Sequence, residues 1–298
     1  MKRKINGKMR DNIAGYLFVM SYIIGFFAFT LYPFISSLYL SFTDYNVLSS
    51  KEWIGIENYA KMLLEDKEFW VSFKVTVKFA IIQVPVKMAF SLLVAVALVR
   101  KTKLTNVYRA AFYVPSLIGG SVAMAITWKQ LWVKNGAINE LLAAFGIEGP
   151  NWVHNPGTAL YVLILLDVWQ FGSQMLIFLA AIKDVPASLQ EAAIIDGAGS
   201  VKRFFKVTLP MITPALFFNL VNGIIGAMQA FNSAFLVTEG GPLNSTLYFA
   251  LYQYRQAFEF RHMGYASAMA WFMMLVIIAL TVLVFRSSAG WVYYREEM

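Results

Sequence analysis

The sequence predicts an all-α, polytopic membrane protein with six transmembrane helices and a pair of short cytoplasmic coupling helices. Of its 298 residues, 59% are hydrophobic and 14% are charged, whereas soluble domains carry about 25% charged residues. Several apolar runs approach the roughly 20 residues that an α-helix needs to cross a bilayer. A polar segment, residues 183–210, interrupts these runs and has a helical pattern of its own.

The composition argues against several kinds of site. The chain contains no cysteine and two histidines, so neither a disulfide nor a metal site is expected. The sequence has no Gly-x-x-x-x-Gly-Lys phosphate loop and no evident carboxylate pair or Ser/His arrangement, so the chain alone is not expected to be an enzyme. We attribute the net charge of +8 to loops that face anionic lipid and not to a nucleic-acid partner.

The first apolar run covers residues 13–42 and follows a segment rich in Lys and Arg, residues 1–12. The run is too long for the core of a cleaved signal peptide, so it predicts an uncleaved first span. Pro33 is expected to kink this helix, because proline lacks the N–H that the preceding turn needs.

Five further apolar segments complete the predicted bundle. They cover about residues 75–99 (interrupted by Pro85 and Lys87), 107–132, 157–182, 211–237 and 263–285. The polar loops 43–70 and 133–156 and the aromatic, amphipathic loop 243–262 are placed outside. Basic residues cluster in the opposite loops, as the positive-inside rule expects. The transmembrane domain is thus predicted at 13–286, with 1–12, the 183–210 segment and a 287–298 tail in the cytosol.

Residues 183–210 are predicted to form a helix, a turn and a second helix. Pro186 suits the first turn of a helix, and Asp196 with Gly197 offers the turn chemistry to end it. Ser200 is expected to cap the second helix. In that helix the apolar and basic residues fall on opposite faces: Val201, Phe204 and Phe205 on one, and Lys202, Arg203 and Lys206 on the other.

The order of residues in this segment resembles the EAA loop of ABC importer permeases. The residues that carry the resemblance are Glu191, Ala192, Ala193, Asp196, Gly197, Ala198, Phe204 and Pro210. In that family the loop docks into the ATPase subunit and passes its closing motion to the membrane helices. The resemblance implies coupling to the ATPase subunits through the Glu191–Pro210 loop, by all of these residues except Pro210. It also implies that ATP and Mg²⁺ are bound by partner subunits and that this chain holds no cofactor. The alternative is a cytosolic loop that contacts nothing.

Further matches are similar to the carbohydrate-uptake, maltose-type branch of that family. They are the Trp53–Tyr59 segment, Arg109 with Pro115, Trp128, the Thr238–Pro242 break, Met263–Ala268 and the Trp291–Tyr294 tail. The resemblance implies a multi-pass subunit of a bacterial or archaeal cytoplasmic membrane that carries a sugar or oligosaccharide. It also implies three kinds of partner: a second, different permease in a heterodimer, two cytoplasmic ATPase subunits and an extracytoplasmic solute-binding protein.

Polar side chains inside apolar spans usually face the protein interior or an aqueous path. The candidates are Gln170 and Gln174 on the fourth span, Asn219, Asn222, Gln229 and Asn232 on the fifth, and Trp271 on the sixth. Most follow steps of three or four residues, which places them on one helix face. Amides suit the hydroxyl groups of a sugar, and an aromatic ring suits its C–H face. The alternative is contact between helices, where amides are also common.

Two intramembrane charges, Lys87 and Asp167, lie about ten residues in from the predicted outer ends of their spans. Near the midplane an unpaired charge costs several kcal/mol, so we expect the two residues to pair or to share a water-filled pocket. A structural role is preferred to substrate contact. The alternative function is an ion-coupled secondary transporter with Asp167 and Lys87 as coupling groups, which would need no ATPase subunit.

Overall fold

The computed structural model describes residues 7–47, 50–99 and 103–293, with the backbone alone for residues 7–14. Within these ranges the chain is almost entirely helical. Several residues of the sequence analysis lie outside the described part: Lys2, Arg3, Lys4, Arg100, Lys101, Tyr294 and Arg295. The described chain forms two compact units. The first contains the residues up to Glu65 together with Gln253–Phe272, and the second contains Asp66–Tyr252 and the residues from Met273 onward.

The first apolar run is one long helical segment with a widened turn. Helix α1 covers Gly7–Phe26, a π-helical turn covers Phe27–Leu31, and α2 covers Tyr32–Ser41. The π turn ends just before Pro33, whose missing N–H and bulky ring cannot fit a regular preceding turn. The disturbance expected at Pro33 therefore takes the form of a π turn.

The segment after α2 is structured. Strands β1 (Thr43–Asp44) and β2 (Glu52–Trp53) pair in antiparallel fashion, and helix α3 follows at Glu57–Leu64. The buried Asn58 amide donates to the carbonyl oxygens of Ser41 and Thr43 at 2.9 and 3.0 Å. This amide replaces lost backbone hydrogen bonds where the chain leaves α2, so the described residues of the predicted loop form strands and a helix.

Helix α4 is an unbroken helix of 32 residues, Lys67–Leu98. Its N-terminus is capped by Asp66, whose Oδ1 accepts from the Phe69 N–H at 2.9 Å. The predicted start near residue 75 was too late, because the outer turns are polar while still helical. The predicted interruption at Pro85 and Lys87 is wrong, since the helix continues through both. Membrane helices tolerate proline where local adjustments satisfy the freed carbonyl groups.

The third and fourth spans are broken helices. Helix α5 (Thr105–Ile118) and α6 (Val122–Trp132) are separated at Gly119–Ser121, and α7 (Ala137–Ala143) follows. The helix direction changes by 98° at this break, so the prediction of one span across 107–132 is wrong in its geometry. Helices α8 (Ala159–Trp169) and α9 (Gly172–Lys183) meet at a smaller bend of 46°.

Gly172, the first residue of α9, lies against α5 with no room for a side chain. An added Cβ would lie 2.6 Å from the Phe112 carbonyl oxygen and 2.7 Å from the Tyr113 Cα. We expect Gly172→Val to cost roughly 3 kcal/mol or more, because backbone atoms cannot move aside as a flexible side chain would. The thermal unfolding midpoint of the purified protein in detergent should fall. Gly25→Val, where an added Cβ meets nothing within 4 Å, is the control and should leave the midpoint nearly unchanged.

The predicted helix pair of 183–210 is present. Helix α10 (Ala187–Ile195) follows Pro186, and α11 (Ser200–Arg203) continues through a π turn at Phe204–Thr208 into α12 (Leu209–Met211). Gly199 and not Ser200 occupies the N-cap of α11. Helix α13 (Thr213–Met228) then turns away by 66°.

The predicted fifth span, 211–237, is not one helix. Helix α13 ends at Met228, Ala230 and Phe231 are not helical, and a π-helical turn covers Ala234–Thr238. Glu239 and Gly240 then adopt positive φ angles of 50° and 78°. The turn predicted at Thr238–Pro242 is therefore confirmed, but the span before it is interrupted.

Residues 243–262 are not a loop. They contain α14 (Phe249–Tyr254) and a π turn at Arg255–Glu259. Leu247, Tyr248 and Phe249 are buried, and the Phe249 N–H donates to the Thr76 hydroxyl at 2.8 Å. Tyr248, Phe249 and Tyr252 thus pack inside the protein, whereas Phe258 and Phe260 are exposed.

Helix α15 covers Met263–Ser288 and agrees with the predicted sixth span. By length and hydropathy, the described residues contain three helices able to cross a membrane, or up to six if each bent pair forms one span. The all-α, six-span prediction is confirmed in this form, with three of the six spans broken.

Candidate functional site

Six of the seven predicted path residues, all except Trp271, line two adjoining cavities within the second unit. The Lys87 cavity encloses about 400 Å³, and its polar lining consists of Gln83, Lys87, Asp167, Ser173, Gln174, Asn219 and Asn222. The Gln229 cavity encloses about 250 Å³, and its polar lining consists of Asp167, Gln170, Gln229, Asn232 and Ser233. Asp167, Gly226 and Ala230 line both cavities, so the two are neighbours along one wall.

The Gln229 cavity lies where three helices are broken. Gly119 and Gly120 after α5, Gln170 after α8, and Gln229–Phe231 after α13 all contribute to its lining. A broken helix leaves backbone polar groups without partners, which in a membrane is tolerated only inside protein or beside a water-filled space. The position of all three breaks beside this cavity agrees with that requirement.

The Lys87 cavity contains polar atoms that lack hydrogen-bond partners. Gln83 is 6% exposed and Asn219 is 1% exposed, yet the Gln83 Oε1 and the Asn219 Nδ2 form no hydrogen bond. Unpaired polar atoms of this kind are rare in folded proteins and often mark a site that a ligand or water completes. Sequence analysis missed Gln83, although its position four residues before Lys87 places both on one face of α4.

The other amides of the cavities are held by their own helices. Asn222 is exposed to the cavity side, and its Nδ2 donates to the Phe218 carbonyl oxygen at 2.8 Å. Gln170 Nε2 donates to the Leu166 carbonyl oxygen at 3.2 Å. These bonds orient the amides and leave their carbonyl oxygens available as acceptors.

Lys87 and Asp167 line the same cavity, as the second of the two predicted arrangements requires. Among the described residues they form no direct ion pair, since ion pairs within 4.0 Å join Lys129 to Glu239 and Arg255 to Glu259. The Ser233 hydroxyl donates to the Asp167 Oδ2 at 3.4 Å, which is long for an O–H···O bond. Both charges are thus oriented toward a shared space.

Trp271 is not among the described residues that line either cavity. It belongs to the first unit, where its ring packs against Phe34 at a centroid distance of 4.8 Å and its indole N–H donates to the Ser37 hydroxyl at 3.1 Å. Within the first unit, these contacts give Trp271 a packing role.

The coupling loop, as we call residues 187–210, is built around a tight turn. Helix α10 ends at Ile195, Asp196 follows at the C-cap, and Gly197 adopts φ +73°. The Ala198 N–H donates to the Ala193 carbonyl oxygen at 2.9 Å and closes the helix end, as in a Schellman motif. The Gln190 side-chain amide donates to the Thr208 hydroxyl at 3.0 Å, which holds α10 against the segment before α12.

The tip of the coupling loop is exposed. Glu191, Ala192, Asp196 and Gly197 are exposed, whereas Ala193, Ala198 and Phe204 are half-buried. Apolar side chains accompany them: Ile195 is 86% exposed and Val201 is 72% exposed. Exposed apolar side chains next to acidic ones are typical of a surface that binds another protein.

Comparison with known proteins identifies the family. The family described as "Binding-protein-dependent transport system inner membrane component" matches residues 70–293. The chain is 47% identical to the probable ABC transporter permease protein YesP of Bacillus subtilis (strain 168), over 99% of this chain and 96% of that protein. It is 33% identical to the lactose transport system permease protein LacF of Rhizobium radiobacter, over 93% and 94% of the two chains.

A solved structure has the same fold. The crystal structure of a bacterial ABC transporter involved in the import of the acidic polysaccharide alginate contains a chain that superposes with a TM-score of 0.83 at 20% identity. The superposition covers 95% of this chain and 97% of that one. The broken spans and the exposed coupling loop thus belong to a known fold, and the chain is a member of the family of binding-protein-dependent transport system inner membrane components, the permease subunits of ABC transporters.

Proposed function

We propose that this permease subunit forms half of the path by which a sugar or oligosaccharide enters a bacterial or archaeal cell. The observation that carries the proposal is the convergence of neutral amides from α4, α9 and α13 on two adjoining cavities. Amide groups both donate and accept hydrogen bonds, as a ligand rich in hydroxyl groups requires. Relatives named for lactose and for trehalose and maltose transport support the same class of substrate.

The proposed assembly contains further subunits. A permease subunit of this family is not itself an enzyme, and we propose that two cytoplasmic ATPase subunits bind ATP and Mg²⁺ and dock on the coupling loop. A second, homologous permease would complete the path, and an extracytoplasmic binding protein would deliver the sugar. The exposure of Glu191 and of the neighbouring apolar side chains supports the docking surface. In this arrangement both termini lie in the cytosol of a cell whose cytoplasmic membrane holds the protein.

The ion-coupled alternative is not supported, because the matching proteins are permeases of binding-protein-dependent systems. Under our proposal, ATP binding and hydrolysis by the partner subunits would shift the permease between inward- and outward-facing states. Uptake should therefore disappear when the ATPase subunits are omitted from the co-expressed complex, and an imposed ion gradient should not restore it.

Asn222→Leu and Gln229→Leu test the path directly. Each change keeps the side-chain volume and removes the hydrogen-bonding groups from a cavity wall. Because one hydrogen bond is worth about 0.5–1.5 kcal/mol, we expect uptake efficiency to fall roughly twofold to tenfold in each variant. Uptake of radiolabelled sugars from an oligosaccharide panel, measured in cells that express the complete transporter, provides the readout.

The matched control is Asn135→Leu, which makes the same chemical change at an exposed position outside both cavities. All three variants should assemble with the partner subunits in wild-type amounts. If the two cavity variants transport every tested sugar as well as the control does, the cavities do not form the path.

A further inference from the structure

We infer that this protein binds an anionic phospholipid along the outer half of α4. The headgroup would lie at Lys74 and Lys78, with Lys67 two turns further out on α4, and an acyl chain would lie in an apolar groove of about 440 Å³ between α4, α13 and α15. Ile81 and Pro85 of α4, Ile224 of α13 and Leu280 of α15 are among the groove's residues. The groove is separate from the two polar cavities, and its lining consists of apolar residues alone.

The lysines and the groove share one edge of α4. Lys74 precedes Ile81 by seven residues, and Lys78 precedes Pro85 by the same interval. Around an α-helix, side chains seven residues apart point within about 20° of the same direction. Each lysine therefore lies on the same side of α4 as a groove residue, about two turns before it. Lys67 lies a further seven residues before Lys74. All five of these residues are exposed.

The groove has the depth of a single leaflet. From Lys74 to Pro85 the helix rises roughly 16 Å at 1.5 Å per residue, which is close to half of the roughly 30 Å hydrocarbon core. Trp70 and Phe73 lie beside Lys74 on α4, where aromatic residues are typical of the membrane interface. The lysines therefore lie beside the outer end of the groove, level with Phe73 and Val77 of its lining, and the apolar groove continues inward to Pro85, which is the polarity of a phospholipid.

The lysine positions favour an anionic lipid over an apolar helix of another subunit. In the proposed orientation these lysines lie at the outer end of α4, where the positive-inside rule makes a basic stripe unusual. Among the described residues, none of the three lysines has a carboxylate within 4.0 Å. Nearby Asp66 is occupied by the Phe69 N–H and the Tyr252 hydroxyl. Lys78 lies 5.7 Å from the Tyr161 ring, an interaction that leaves its charge unneutralised.

The experiment measures lipid retention by the complete purified transporter. The complex is titrated in detergent with phosphatidylglycerol or with phosphatidylcholine of the same acyl chains, and bound lipid is counted by native mass spectrometry. Wild type should prefer phosphatidylglycerol. In K74Q/K78Q that preference should fall about thirtyfold, given roughly 1 kcal/mol for each lysine near a lipid surface. K74R/K78R should keep it, whereas Ile224→Trp, which fills the groove, should weaken the retention of both lipids.

Lys51→Gln, at an exposed lysine of the segment between β1 and β2, is the matched control and should behave as wild type. Because the chain contains no cysteine, Ile81→Cys introduces a single attachment point for a photo-crosslinker. Labelling of added phosphatidylglycerol from this position supports the site. Equal retention of the two lipids by wild type, unchanged preference in K74Q/K78Q, or crosslinks from Ile81→Cys to the partner permease would each overturn it. Since retention and uptake are separate readouts, failure here leaves the proposed sugar path untouched.

Discussion

Glu191→Lys should abolish sugar-stimulated ATPase activity while leaving the permease folded. Glu191 is exposed on α10 beside the turn at Gly197, so reversing its charge disturbs no packing within this chain. At a docked interface the reversed charge would face groups arranged to receive a carboxylate. The loss of a charged contact at an interface costs roughly 2 kcal/mol or more, which is more than tenfold in docking affinity.

The measurement is the ATPase rate of the reconstituted transporter with and without sugar-loaded binding protein. Glu148→Lys reverses an exposed acidic residue outside the coupling loop and should leave the stimulated rate unchanged. Unaltered stimulation in Glu191→Lys would remove this residue from the coupling surface.

Substitution of Gly197 tests the same surface by changing the backbone conformation of its turn. At φ +73° a β-branched residue is strained, and the left-handed conformation costs roughly 1–2 kcal/mol for a residue with a Cβ. An added Cβ would meet nothing within 4 Å at either Gly197 or Gly199, but Gly199 has φ −65°. Gly197→Val should therefore weaken coupling, and Gly199→Val should not. Equal effects of the two changes would show that added bulk, and not the turn conformation, matters.

The second large effect is expected at the intramembrane charges. In Lys87→Met, Asp167 is the remaining charged residue of the Lys87 cavity lining. In Asp167→Asn, the remaining charged residue is Lys87. An uncompensated charge near the membrane centre costs several kcal/mol, so each single change should lower the thermal stability and the yield of the assembled complex. The double variant should recover part of the loss, with a coupling energy of about 1–3 kcal/mol.

The wild type, the two single variants and the double variant form a double-mutant cycle. The unfolding midpoint and the subunit stoichiometry are measured for each of these four proteins. Lys51→Met, which removes an exposed lysine outside both polar cavities and outside the proposed lipid site, is the control for loss of a positive charge. Strict additivity of the single changes would show that Lys87 and Asp167 act independently across their cavity. Normal stability of both single variants combined with altered sugar preference would instead assign the two charges to substrate contact.

Local chemistry made the coupling loop predictable. Pro186, Asp196 and Gly197 set the start and end of α10 through the conformations that proline and glycine prefer. The detail that failed was the cap of α11, where Gly199 takes the place expected for Ser200. Glycine is also accepted at an N-cap, and the tight turn around Gly197 decides which residue arrives there.

The cavity lining was predictable in part. Periodicity placed Asn219, Asn222 and Gln229 on one face, and the structure brings them to the two cavities. Periodicity could not show that Gln83 of α4 lines the Lys87 cavity, or that Trp271 packs against Phe34. Helical spacing tells which residues share a face, but it gives no distance between faces of different helices.

The sequence by itself determined the class of the protein, its apolar segments and the coupling loop, because hydropathy, charge bias and turn residues act over short stretches of chain. Only the tertiary structure decided that the spans break at Gly119–Ser121, at Gln170 and at Gln229–Phe231, and that Leu247–Phe249 is buried. A helix break inside a membrane leaves backbone groups without partners and is stable only beside protein or a cavity that satisfies them. The residues that provide this compensation come from distant parts of the chain, so no local pattern could reveal the breaks.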